Sequence, residues 1–106
     1  MAEIYLGELE KIVLLAVLRL GDGAYAVPIL EQIERQAGRT IARGALYTAL
    51  DRLETKGCLR SRLGDPLPER GGRARRYFSV TPAAVRALKH SKQALLRLWQ
   101  GLEALE

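Results

Sequence analysis

The chain has 106 residues, 48% of them apolar, and 17 Lys and Arg against 12 Asp and Glu give a net charge of +5. This length specifies one compact domain and excludes a multi-domain enzyme, and the burial it allows is modest enough for self-association to add stability. The basic balance favours a polyanionic partner, nucleic acid first. Cys58 is the single cysteine, which excludes an internal disulfide and a thiolate-rich metal site and fits a reducing compartment. Residues 1–5 show no basic leader region, and the longest apolar run, Ile12–Leu18, falls far short of the ~20 residues that cross a bilayer. The expectation is a cytoplasmic protein without membrane contact.

The excess charge is concentrated. Between Arg39 and Arg76 there are ten basic residues and four acidic ones, +6, whereas the two flanks together carry seven basic and eight acidic, −1. A positive surplus confined to one third of the chain reads as a contact surface.

Leu6, Leu9, Ile12, Val13, Ala16, Val17 and Leu20 recur at helical spacing and predict a first helix ending at Gly21-Asp22-Gly23. Leu14, Leu15 and Leu18 widen its apolar stripe almost to a full circle, the pattern of a helix covered on more than one side, with a second subunit as one cover. A second helix is predicted over Tyr25–Ala37, with Pro28 in the first turn, Ile29, Ile33 and Ala37 on one face, and Gly38 as the stop. A third runs from Arg43 to Lys56, buries Leu46, Ala49, Leu50 and Leu53, is entered through an Ile41–Leu46 staple and ends at Gly57. Two short helices joined by a tight glycine-containing turn form a candidate helix-turn-helix whose second helix enters a DNA major groove.

Leu59–Leu63 and Arg76–Val80 read as the two strands of a hairpin, or wing, and the Pro- and Gly-rich segment Gly64–Arg73 as its long tip. Four arginines between positions 70 and 76 place phosphate-binding charge at the base of that tip. Thr81 as N-cap and Pro82 at the first helical position open the last helix. Val85, Leu88, Lys92, Leu95, Trp99 and Leu102 form an a/d seam along it with one polar interruption. The fold class is therefore mainly α (α+β): a winged helix-turn-helix over residues 1–80 and a C-terminal dimerisation helix over 81–106.

Four segments carry a family resemblance: Leu6-Gly7-Glu8-Leu9-Glu10, Leu20-Gly21-Asp22-Gly23-Ala24-Tyr25, Gly44 through Gly57, and Arg70-Gly71-Gly72-Arg73 through Arg76-Tyr77-Phe78-Ser79-Val80-Thr81. In unbroken order over almost the whole chain, they resemble the PadR family of bacterial transcriptional regulators, in its compact branch with a short C-terminal helix. The resemblance implies a homodimeric repressor at promoter operators, and several members of the family respond to aromatic compounds. Two positions depart from the pattern. Ala42 stands where a serine is common and forgoes a cap worth about 1 kcal/mol, and Ala26 stands where the family has glycine.

Other function classes fit less well. His90 is the only histidine and has no Cys or Asp at triad spacing, and with Cys58 it cannot complete the ligand set of a metal sensor. Neither catalytic residues nor a cofactor are expected. A winged-helix protein–protein interaction module without DNA binding is the alternative, and the coincidence of the +6 segment with the third helix and the wing separates the two.

The partner is thus expected to be double-stranded DNA with a pseudo-palindromic operator. With the apolar face of the third helix turned inward, Arg43, Gly44, Tyr47, Thr48 and Asp51 face the groove and Arg52 its flank. Arg43 is placed to read guanine, Gly44 allows close approach, and Tyr47 and Thr48 donate to phosphates or touch a thymine methyl. Arg70, Arg73, Arg75 and Arg76 reach backbone or minor groove from the wing, although strand alternation must turn one of the last two away. The homodimer is assigned to Leu9, Val13 and Val17 of the first helix with Val85, Leu88, Leu95, Trp99 and Leu102 of the last. Trp99 is also the candidate for stacking a small aromatic effector at the two-fold axis.

Overall fold

The computed structural model describes residues 4–66 and 74–105. Its elements are α1 (Glu8–Leu20), a 3-10 turn (Gly21–Gly23), α2 (Ala26–Ala37), α3 (Arg43–Thr55), β1 (Leu59–Pro66), β2 (Ala74–Val80) and α4 (Pro82–Trp99). Each boundary has a local cause. Glu10, at the third position of α1, accepts the Gly7 N–H at 2.8 Å, the reciprocal half of a capping box. Gly38 ends α2 in the left-handed region at φ 64°, with its N–H on the Glu34 carbonyl. α3 starts after Ala42 without a side-chain cap. Thr81 caps α4 by accepting from the Ala84 N–H at 3.3 Å, and its hydroxyl donates to the Gly57 carbonyl at 2.7 Å, fixing the start of α4 against the end of α3.

The core is built where the apolar faces of α1, α2 and α3 meet. Val13, Leu14 and Val17 of α1, Ile29 and Ile33 of α2, and Leu46, Leu50 and Leu53 of α3 are all buried, closed from the wing side by Cys58, Leu59 and Phe78. The hairpin is antiparallel, pairing Leu59 with Val80, Ser61 with Phe78, Arg62 with Tyr77 and Leu63 with Arg76, and a bulge lies between Leu63 and Pro66. It runs three residues further on β1 and two on β2 than the alternating residues predict, because backbone pairing continues past Gly64. Phe78 donates its N–H to the Ala24 carbonyl at 2.8 Å, which ties β2 to the link between the 3-10 turn and α2. Four helices around a two-stranded wing make this a winged helix-turn-helix.

Two expectations fail on packing grounds. Ala37 is exposed and contributes nothing to the α2 face. α4 ends at Trp99, with Leu102 beyond it in a turn, so the seam is one residue shorter than its spacing implies. Only Ala84 and Leu88 of α4 are buried. Its second half leaves the body of the domain, which accounts for dimensions of 55 × 36 × 21 Å.

Candidate nucleic-acid interface

α3 presents one clean face outward. Leu46, Ala49, Leu50 and Leu53 hold it on the core, leaving Arg43, Gly44, Tyr47, Thr48, Asp51 and Arg52 exposed. A Cβ built on Gly44 would meet nothing within 4 Å, so the subunit's own packing does not demand glycine there. The Thr48 hydroxyl donates to the Gly44 carbonyl at 3.0 Å. That commits the proton expected for a phosphate and leaves the methyl group and an acceptor lone pair.

The wing base is pinned on both faces, and its arginines divide accordingly. On one face Arg62 lies over the Tyr77 ring at 4.7 Å, Tyr77 packs edge-on against Tyr25 at 5.6 Å, and Arg75 lies over Tyr25 at 4.4 Å. Arg75 is therefore drawn back toward the start of α2 by cation–π contact; its Nε is buried and has no hydrogen-bond partner among the described residues. Of the two neighbouring wing arginines, Arg75 is the one that strand alternation turns to the Tyr25 side. On the other face Arg76 turns toward α3 and bonds Glu54 through Nη2 at 2.6 Å and Ser61 through Nε at 3.0 Å. Arg70 and Arg73 lie outside the described residues.

Several members of the basic segment thus have partners within the subunit. Lys56 is held by Glu10, and Arg39 stands 3.9 Å from the exposed Glu8. Burial opposes ionisation of Glu10, but the Lys56 and Gly7 hydrogen bonds and the charges of Lys56 and Arg52 outweigh it and hold the carboxyl below its usual range. Burial pushes the Cys58 thiol up, away from reactivity. Sequence alone gives Glu54, Ser61, Arg62 and Tyr25 no site role of their own, although strand alternation and the cross-strand register pair Arg62 with Tyr77.

The second surface of interest lies between α1 and α4. Val13 and Val17 are 0% and 2% exposed in the subunit's own core, so they cannot serve a dimer contact. Leu9 and Val85 are half-buried, and Leu88 is largely buried. The outward side of α1 belongs to Leu15 and Leu18, 50% and 45% exposed, and they line a groove of about 540 Å³ with Leu88, Leu95, Leu96 and Trp99. Leu102 is also exposed. Among the described residues no helix is long and apolar enough to cross a membrane, and no three His, Cys, Asp or Glu side chains come together as a metal site.

The sequence profile described as the transcriptional regulator PadR-like family matches residues 14–90. No curated protein matches the chain. Among solved structures, the chain is similar to a PadR family transcriptional regulator from Eggerthella lenta, with 26% identity over 92% of this chain and 85% of that one at a TM-score of 0.68. A transcriptional regulator from Clostridium thermocellum shares the fold at a TM-score of 0.71 and 23% identity, covering 92% and 91% of the two chains. A PadR-like transcriptional regulator from Bacillus cereus does so at 0.72 and 18%, covering 92% and 89%.

Proposed function

The chain belongs to the PadR-like family of transcriptional regulators, and on that premise we propose that it is a homodimeric repressor that binds a pseudo-palindromic operator through α3 and the wing. The observation that carries this reading is the exposed face of α3. It has an arginine at the helix N-terminus, where base edges are reached in this architecture, followed by an unobstructed glycine. Arg43 reads bases and Gly44 admits the groove wall. Tyr47 and Arg52 contact phosphates, the Thr48 methyl meets a thymine methyl, and Asp51 faces the groove as an acceptor for cytosine. Arg70 and Arg73 supply the wing's phosphate charge.

Residues 81–106 form the dimerisation element and residues 1–80 the DNA-binding unit. Support comes from the exposed leucines of α1 and α4 and from a helix whose outer half has no cover among the described residues. A second copy laid across Leu15, Leu18, Leu95 and Trp99 covers them and sets two recognition helices about 34 Å apart, one helical turn of DNA. The same groove gives a site for a flat aromatic effector against Trp99, 57% exposed, whose binding would alter the dimer and release DNA. The test is a salt-titrated electrophoretic shift with the DNA upstream of the protein's own gene. A shift that weakens steeply with salt supports the regulator; no shift at low salt, even on unrelated DNA, supports a protein-interaction module.

A further inference from the structure

Glu54 stands near the end of α3, on the ridge it shares with Tyr47 and Leu50 at helical spacing. Its carboxylate accepts from Arg76 Nη2 on Oε1 at 2.6 Å and from the Ser61 hydroxyl on Oε2 at 3.1 Å, and Arg76 Nε donates to the same hydroxyl oxygen at 3.0 Å. One residue from α3, one from β1 and one from β2 close a ring of three hydrogen bonds. The guanidinium spends one edge, Nε and Nη2, inside the ring. Its other nitrogen, Nη1, has no partner among the described residues, and the side chain is 51% exposed.

An exposed ion pair adds little stability by itself, but charge-assisted bonds from both nitrogens of one guanidinium edge set its orientation. The opposite face of the wing is fixed to α2 through Tyr25, Tyr77 and the two stacked arginines. Among the described residues, the Glu54 ring is the polar side-chain link between the wing and α3. We propose that Glu54 is a positioning residue for DNA recognition: acting through Ser61 and Arg76, it fixes the angle between the recognition helix and the wing, so that α3 meets the base edges while the wing holds the flanking backbone. The proposal rests on the regulator reading and assigns a function to an acidic residue beside a polyanion, where charge alone would only repel.

Two substitutions isolate the effect because both remove the same charge. Glu54→Gln keeps an oxygen to accept from Arg76 and an amide that reaches Ser61, whereas Glu54→Ala removes the ring. Affinities for the operator and for random DNA are measured side by side, with thermal melting to verify folding. Both variants bind random DNA at least as tightly as wild type. The operator-to-random ratio stays near wild type for Glu54→Gln and falls on the order of tenfold for Glu54→Ala. If Glu54→Ala does not fold, Ser61→Ala opens the ring without changing charge and must lower the same ratio. Equal ratios for the two Glu54 variants, or an unchanged ratio for Ser61→Ala when it stands in, overturn the proposal. A wild-type protein that binds no DNA sinks the regulator reading itself.

Discussion

Lys56 and Glu10, 46 residues apart, form a clasp in which the Lys56 ammonium donates to both carboxylate oxygens at 2.8 Å and to the Tyr5 carbonyl at 2.8 Å. The clasp joins the start of α1 to the residue that ends α3 and takes one cation out of the basic segment. Its carboxylate is nearly buried, so Lys56→Met leaves a charge without its partner. The expected loss is about 2–3 kcal/mol, below the value for a fully buried pair because Lys56 keeps some solvent, measured as the urea-unfolding midpoint at neutral pH.

The same clasp sets an acid limit. Folding lowers the Glu10 pKa from its usual 4.5, so the unfolded chain takes up the proton more readily. The stabilisation is complete above 4.5 and drains away as pH falls through the lower folded value. Between about pH 5 and pH 3 wild type should lose more thermal stability than Glu10→Gln, which has no such proton to bind. Parallel curves for the two would remove Glu10 from the acid response.

Gly64 is required by a neighbour. A Cβ there would stand 2.7 Å from Tyr77 Cε2, and the ring cannot swing aside freely because Arg62 lies over it and Tyr25 meets its edge. Gly64→Ala should therefore cost about 1–2 kcal/mol by overpacking and reduce the ellipticity coupling of the two tyrosines. An unchanged melting temperature would show that the ring moves.

Much of this architecture was legible in the sequence. The inward face of α3, Leu46, Ala49, Leu50 and Leu53, follows from its 3/4 spacing, and Thr81-Pro82 announces α4 by capping chemistry alone. α1 defeated the same logic. A helix apolar nearly all round has no period to select its outward side, so spacing alone offers Val13 and Val17 to a partner although the core takes them, and Leu15 and Leu18 hold the exposed positions. The Lys56–Glu10 and Arg76–Glu54 pairs were also invisible, because charge counts along a chain do not reveal which cations the fold neutralises across it.

Leu95 is half exposed on the outer half of α4. If the proposed dimer forms through this surface, Leu95→Glu should be monomeric at micromolar concentration where wild type is dimeric, read by sedimentation, with little change in helix content. A variant that still sediments as the wild-type dimer would place the interface elsewhere.

Arg43→Ala should cost about 1–3 kcal/mol on the operator and little on random DNA, the signature of a base reader. Equal losses on both would make Arg43 a phosphate contact that only positions α3.

The most direct test is a footprint of the purified wild-type protein on DNA fragments it selects from a random pool. Two protected half-sites in a pseudo-palindrome, centred about one helical turn apart, are the expected result for a dimer reading DNA with paired recognition helices. No enriched sequence and no salt-dependent protection would contradict it.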